Sequence, residues 1–173
     1  LEIEPMLNSE RDRVASLSHR ELCDFALQLA AEPERWAHLL EGEDEESRVY
    51  ELIWNDERVN AWVIRWSEDA DTGYHDHDES AAAITVISGD VREDRLALGG
   101  LPRTRLLGAG ETFSVEPSAI HRVLHAGCGP ALTIHAYSPP LRRTGAYSIG
   151  DGGELRRESQ SFDVELAAEH ALV

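Results

Sequence analysis

The sequence predicts a mainly β protein, an antiparallel barrel or sandwich preceded by short helices, and three observations predict it. From Arg48 onward the chain breaks into short segments rich in β-branched and aromatic residues, punctuated by Gly, Pro and Asp turns. Such segments follow one another at close spacing, with almost no helical periodicity after residue 42. The stretch 18–42, by contrast, carries the 3.6-residue repeat of amphipathic helices. A chain of 173 residues is long enough for one domain with a real core and short for two. Residues 1–173 therefore read as a single domain, with 18–42 a helical brace or lid and 48–162 the barrel plus a C-terminal hairpin.

Ser18-His19-Arg20-Glu21 matches a capping box, after which Leu22, Phe25, Ala26 and Leu29 share one helix face. Glu32-Pro33 restarts a second helix, with Trp36, Leu39 and Leu40 as its buried side and Gly42 as its stop. The acidic run Glu43-Asp44-Glu45-Glu46 reads as a solvated connector. The expected strands are Arg48–Trp54, Val59–Trp66, Ala81–Ser88, Val91–Leu98, Glu111–Val115, Arg122–His125 and Ala131–Ser138. Ser88-Gly89-Asp90 is a hairpin signal, and a Gly-Asp-Gly-Gly turn within Tyr147–Phe162 marks another hairpin.

Composition narrows the function. With 16 basic and 33 acidic residues the formal charge is -17, the wrong sign for a surface that tracks phosphates, so nucleic acid is excluded as a partner and a small ligand is expected. Every basic residue is Arg, which reads as codon bias. Cys23 and Cys128 have neither the density of a disulfide scaffold nor a metal-binding spacing, which fits a reducing compartment. No window approaches 18 apolar residues, and Leu1-Glu2-Ile3-Glu4-Pro5 lacks the basic-then-apolar order of a signal peptide. The expectation is a soluble cytoplasmic protein, free of membrane, and a monomer or weak homo-oligomer.

The chemistry concentrates in two clusters. In Gly73-Tyr74-His75-Asp76-His77 the imidazoles at i and i+2 project to one side of an extended backbone, and His121, in Glu116-Pro117-Ser118-Ala119-Ile120-His121-Arg122-Val123, offers a third ligand. Three neutral nitrogens leave coordination positions open, as a catalytic metal needs, although imidazole suits Fe, Zn, Cu and Ni alike. The plainer alternative makes His75 and His77 wet loop residues among Asp76, Asp78 and Glu79. In Leu132–Pro140, alternation puts Thr133, His135 and Tyr137 on one face, where hydroxyl, imidazole and phenol could form a relay, or could simply face water over Ile134 and Ala136.

Taken together, Tyr-His-Asp-His, Ile-His-Arg-Val and Thr-Ile-His-Ala-Tyr-Ser-Pro-Pro, in this order and spacing, resemble the cysteine dioxygenase type of thiol dioxygenase in the cupin superfamily. The resemblance runs from about Glu32, in Glu-Pro-Glu-Arg-Trp, to about Phe162. It implies a cupin barrel, the double-stranded β-helix or jelly roll, with N-terminal helices. It implies Fe(II) on His75, His77 and His121, and a supporting relay of Thr133, His135 and Tyr137 in which Thr replaces the family's Ser. His125 falls where many cupins have Asn and is read as a barrel-end or solvent histidine.

The departures from the family pattern are local. The position that carries the cupin Glu, or in animal enzymes a Cys crosslinked to the active-site Tyr, is Ala82 by alignment, so no Cys–Tyr link can form. The family's Tyr-x-Arg carboxylate clamp appears reversed, as Arg48-Val49-Tyr50, with both side chains on one face. Arg48 then supplies the guanidinium fork and Tyr50 a hydroxyl, or Arg48 merely neutralises the adjacent acidic run. Arg65, Arg122 and the Arg142-Arg143 pair are rival carboxylate binders. The implied function is oxidation of a small thiol carboxylate, cysteine or similar, with O2 to the sulfinic acid. The alternatives are a dioxygenase for another mercapto-acid such as 3-mercaptopropionate, and a non-catalytic metal-binding cupin.

Overall fold

A computed structural model describes residues 15–41, 48–97 and 99–162. The Gly42 stop, the acidic run 43–46 and Leu98 lie outside them. Helix α1, His19–Ala30, opens with the capping box read from sequence: Ser18 Oγ accepts from Glu21 N, and Glu21 Oε2 accepts from Ser18 N at 2.8 Å. Leu22, Ala26 and Leu29 are buried against Val63, Ala81, Ala83, Ile134 and Ala136. The alanines on the sheet side let the helix lie close.

The second helix is not formed as expected. Two 3-10 turns, Pro33–Arg35 and Ala37–Leu40, meet at Trp36, whose φ of -140° breaks the helical path. Trp36 Nε1 donates to Leu29 O at 3.3 Å, so the indole folds back onto α1 instead of continuing a helix too short to sustain itself. Trp36 and Leu39 are half-buried on the outer core, whereas Leu40 is 49% exposed.

The strands are β1 (Arg48–Asn55), β2 (Asn60–Trp66), β3 (His75–Asp76), β4 (Ala81–Ser88), β5 (Asp90–Arg95), β6 (Arg103–Gly108), β7 (Thr112–Val115), β8 (His121–Ala126), β9 (Ala131–Ser138), β10 (Arg143–Ile149) and β11 (Leu155–Ser161). They form two antiparallel sheets, in the orders β1-β2-β9-β4-β7 and β11-β10-β3-β8-β5-β6. The inner faces enclose one core built on Trp62, Ile64, Trp66, Ile84, Val91, Phe113 and Val123. Helix α1 covers the outer face of the first sheet, which makes a second core there.

Ser88-Gly89-Asp90 does not close a hairpin. Strands β4 and β5 belong to different sheets, and the chain turns a corner between them. Gly89 is required for that corner: its φ is +69°, and a Cβ would lie 2.7 Å from Ala131 Cα. The C-terminal hairpin forms as read, with Ile149 opposite Leu155 across the Gly150–Gly153 turn. Strand β6 and the two-residue β3 carry no alternation long enough to be read from sequence.

Candidate metal centre

The three histidines come together because β3 is pinned on both sides. His75 pairs with His121 of β8 on one flank and with Ala146 of β10 on the other. The chain then turns away after His77, with Asp78 N donating to Asp76 Oδ1 and Ser80 N to His77 O. His77 Nε2 lies 3.2 Å from His75 Nε2 and 3.3 Å from His121 Nε2, and all three ligand nitrogens fall within 4.8 Å of one another. The rings are 4%, 1% and 0% exposed, so these are not wet loop residues.

The ring orientations suit a metal. His75 Nδ1 donates to Gly73 O at 3.0 Å and His121 Nδ1 to Glu93 Oε1 at 3.0 Å, which leaves each Nε2 lone pair facing the centre. Burial, aided by the neighbouring imidazoles, holds His77 and His121 well below the usual histidine range, and the neutral ring is the ligating form. His77 Nδ1 is buried with no hydrogen-bond partner among the described residues. Three converging neutral nitrogens on a rigid sheet fit a divalent transition metal with open positions.

Asp76, between the two ligand histidines, points the other way. Arg157 of β11 donates to both its oxygens, at 2.7 and 2.9 Å, and the Tyr147 hydroxyl donates at 2.6 Å. Burial would raise this carboxyl, but the Arg157 and Tyr147 bonds outweigh it and hold it below the usual carboxylate range. The C-terminal hairpin thereby fastens the His-Asp-His segment.

Thr133, His135 and Tyr137 face the barrel interior, because α1 covers Ile134 and Ala136 on the other side of β9. Trp66 Nε1 donates to Thr133 Oγ1 at 2.8 Å, Thr133 Oγ1 lies 2.9 Å from His135 Nε2, and His135 Nδ1 lies 3.3 Å from the Tyr137 hydroxyl. With the Thr133 hydroxyl donating to an unprotonated Nε2, Nδ1–H is left to donate to the Tyr137 oxygen, and the phenol's own proton is turned away from His135. The Tyr137 ring packs edge-on against His77, with centroids 5.0 Å apart, and against Trp62 at 5.7 Å. Ala82 is the cross-strand partner of Tyr137. Both cysteines are free, Cys23 in α1 and Cys128 in the β8–β9 turn, so no thioether reaches the phenol among the described residues.

Burial, with smaller contributions from His75 and Arg48, lowers His135 from an ordinary 6.5 to about 3. The unfolded chain takes up this proton first, so its contribution is neutral above about pH 6.5 and destabilising as pH falls toward 3. Denaturant titration of the metal-free protein should show stability declining by up to about 1.4 kcal/mol per pH unit through that window from this group. A His135→Gln variant should show a shallower slope.

Arg48 is 6% exposed, with its guanidinium 5.8 Å from the Trp66 ring centroid, on the side of the relay away from Tyr137; Tyr50 is 37% exposed. A cavity of about 390 Å³ reaches His77, lined also by Glu57, Glu79, Pro140, Arg142 and Arg143, with neither Arg48 nor Tyr50 among its walls. Arg122 is engaged by Asp71 and Asp94, and Arg143 by Ser159. His125 donates to Gly129 O at 2.7 Å and secures the β8–β9 turn. Sequence reading did not find Glu93, Trp66 or Arg157. The available signal was the alternation Val91, Glu93, Arg95, which puts Glu93 on the inward face of β5.

Two facing antiparallel sheets with three convergent imidazoles between them define a cupin with a metal-binding group. Cysteine dioxygenase type I matches residues 15–149, and the chain belongs to that family. No curated protein matches. Among solved structures, TT1209 from Thermus thermophilus is 18% identical, with a TM-score of 0.52 over 60% of this chain and 94% of that one. A cupin superfamily protein from Desulfitobacterium hafniense is 10% identical, with a TM-score of 0.50 over 60% of this chain and 87% of that one. These likenesses concern the fold. Among the described residues no helix is long and apolar enough to cross a membrane.

Proposed function

We propose that the protein is a non-haem Fe(II) thiol dioxygenase that converts a small thiol carboxylate, cysteine or similar, and O2 into the sulfinic acid, RSH + O2 giving RSO2H. The observation that carries this reading is the hydrogen-bonded Thr133-His135-Tyr137 row ending against ligand His77. A binder with a structural metal has no use for a buried phenol so oriented. Held by His75, His77 and His121, Fe(II) would supply adjacent positions for a thiolate and O2.

The chain's own residues do the rest. Tyr137, fixed by His135 and Trp62, holds a hydroxyl proton beside the centre for a substrate or oxygen atom. Arg48, two residues from Tyr50 on β1, is the proposed carboxylate clamp, and Arg142 in the cavity lining is its rival. The free cysteines fit a cytoplasmic setting.

Oxygen uptake with a panel of thiols, with the product weighed by mass spectrometry, tests the reading. Gain of two oxygens on cysteine supports it, preference for 3-mercaptopropionate selects the second mercapto-acid reading, and no uptake by the iron-loaded protein sinks both. Tyr137→Phe is expected to reduce turnover by about a hundredfold or more while iron content stays near that of the parent. Equal loss of both would make the residue structural.

A further inference from the structure

Glu93 is 1% exposed on the inward face of β5, in contact with a ligand histidine. Its Oε1 accepts from His121 Nδ1 at 3.0 Å and from Arg95 Nε at 2.9 Å, and its Oε2 accepts from Arg105 Nε. Arg105 is itself stacked over Phe113, 4.3 Å from the ring centroid. Behind Glu93 lies a separate pocket of about 220 Å³, walled by Arg95, Arg103, Thr104 and Arg105, which shares no residue with the cavity that reaches His77. A substrate arriving through that cavity does not meet the carboxylate.

We propose that Glu93 is a positioning residue that fixes the tautomer of His121 and sets the charge of the metal centre from one imidazole away. This rests on the reading of His75, His77 and His121 as the metal group. An N–H donated to a carboxylate leaves Nε2 as the lone-pair nitrogen and makes the ring a stronger donor to a metal. The three imidazoles bring no charge of their own, and Glu93 places a carboxylate directly on one of them. Arg95 and Arg105 then tune how much of that charge the metal feels: less where they bind the carboxylate tightly, more where one is removed.

The opposite signs give the test. Metal-stripped parent, Glu93→Gln, Arg105→Gln and His121→Ala proteins are titrated with Co(II), read by its visible absorption, and their Fe(III)/Fe(II) midpoints are measured after iron loading. Glu93→Gln keeps an acceptor for Nδ1 but loses the charge. It should bind Co(II) about ten- to a hundredfold more weakly and shift the midpoint upward. Arg105→Gln leaves the carboxylate less compensated and should shift the midpoint downward without loss of affinity.

A Glu93 that serves only the fold would lower the thermal midpoint and leave Co(II) affinity, spectrum and potential at parent values, which overturns the proposal. Should Glu93→Gln fail to fold, an unchanged or raised midpoint in Arg105→Gln overturns it instead. Parent protein that binds no Co(II), or His121→Ala that binds it as parent does, overturns the metal reading itself, an outcome separate from parental binding with indifference to Glu93.

Discussion

His77→Ala is expected to abolish iron binding and, with it, thiol-dependent oxygen uptake. His77 Nε2 is the nitrogen close to both other ligands, at 3.2 and 3.3 Å, so its loss leaves His75 and His121 without the donor that joins them. The affinity loss should exceed the roughly 10–100-fold typical of outer partners. Metal analysis by equilibrium dialysis checks it; full-strength binding by the variant would mean that the site lies elsewhere. A second signature separates a functional from a structural histidine. Its Nδ1 is buried without a hydrogen-bond partner among the described residues, a state that costs on the order of 1–3 kcal/mol. In metal-free protein a volume-matched His77→Leu should therefore be at least as stable as the parent in urea titrations, with binding lost.

The Arg48→Ala variant should lower kcat/KM for acidic thiols by roughly 1.5–3 kcal/mol, about tenfold to a hundredfold, through lost charge-assisted bonds. The effect should vanish for a thiol that lacks the carboxylate. Restoring the family order with Arg48→Tyr and Tyr50→Arg should shift preference toward cysteine. The competing result is informative: an unchanged kcat/KM in Arg48→Ala with a loss in Arg142→Ala moves the clamp to the cavity that reaches His77, which Arg142 lines together with Glu57 and Glu79.

The strands were legible where alternation ran for many residues. Ala81–Ser88 and Ala131–Ser138 have the same bounds in the structure as in the sequence. That both faces of β9 are buried was not legible, because it depends on α1, from the N-terminal part of the chain, covering Ile134 and Ala136, a contact local pattern cannot express. The His-x-His geometry followed from the two-residue period of an extended chain; convergence with His121 depended on the β3–β8 pairing, a single residue pair in register.

The misreadings have equally local causes. A Ser-Gly-Asp turn serves a hairpin and a sheet-to-sheet corner alike, and only the close approach of Ala131 to Gly89 tells them apart. Glu93 was hidden in Val-Arg-Glu-Asp-Arg, where nothing local shows that Arg95, Arg105 of the next strand and His121 close on one carboxylate.

The Arg157–Asp76 clamp sets an order of events in the birth of the protein. Synthesis proceeds from the N-terminus, so His75, Asp76 and His77 emerge well before Arg157, which stands 81 residues further along. Until β11 has been made and has docked, the segment carrying two of the three imidazoles lacks its lateral tether. Metal uptake is then expected to follow the docking of β11, and a protein truncated before β10 should be made without acquiring the metal.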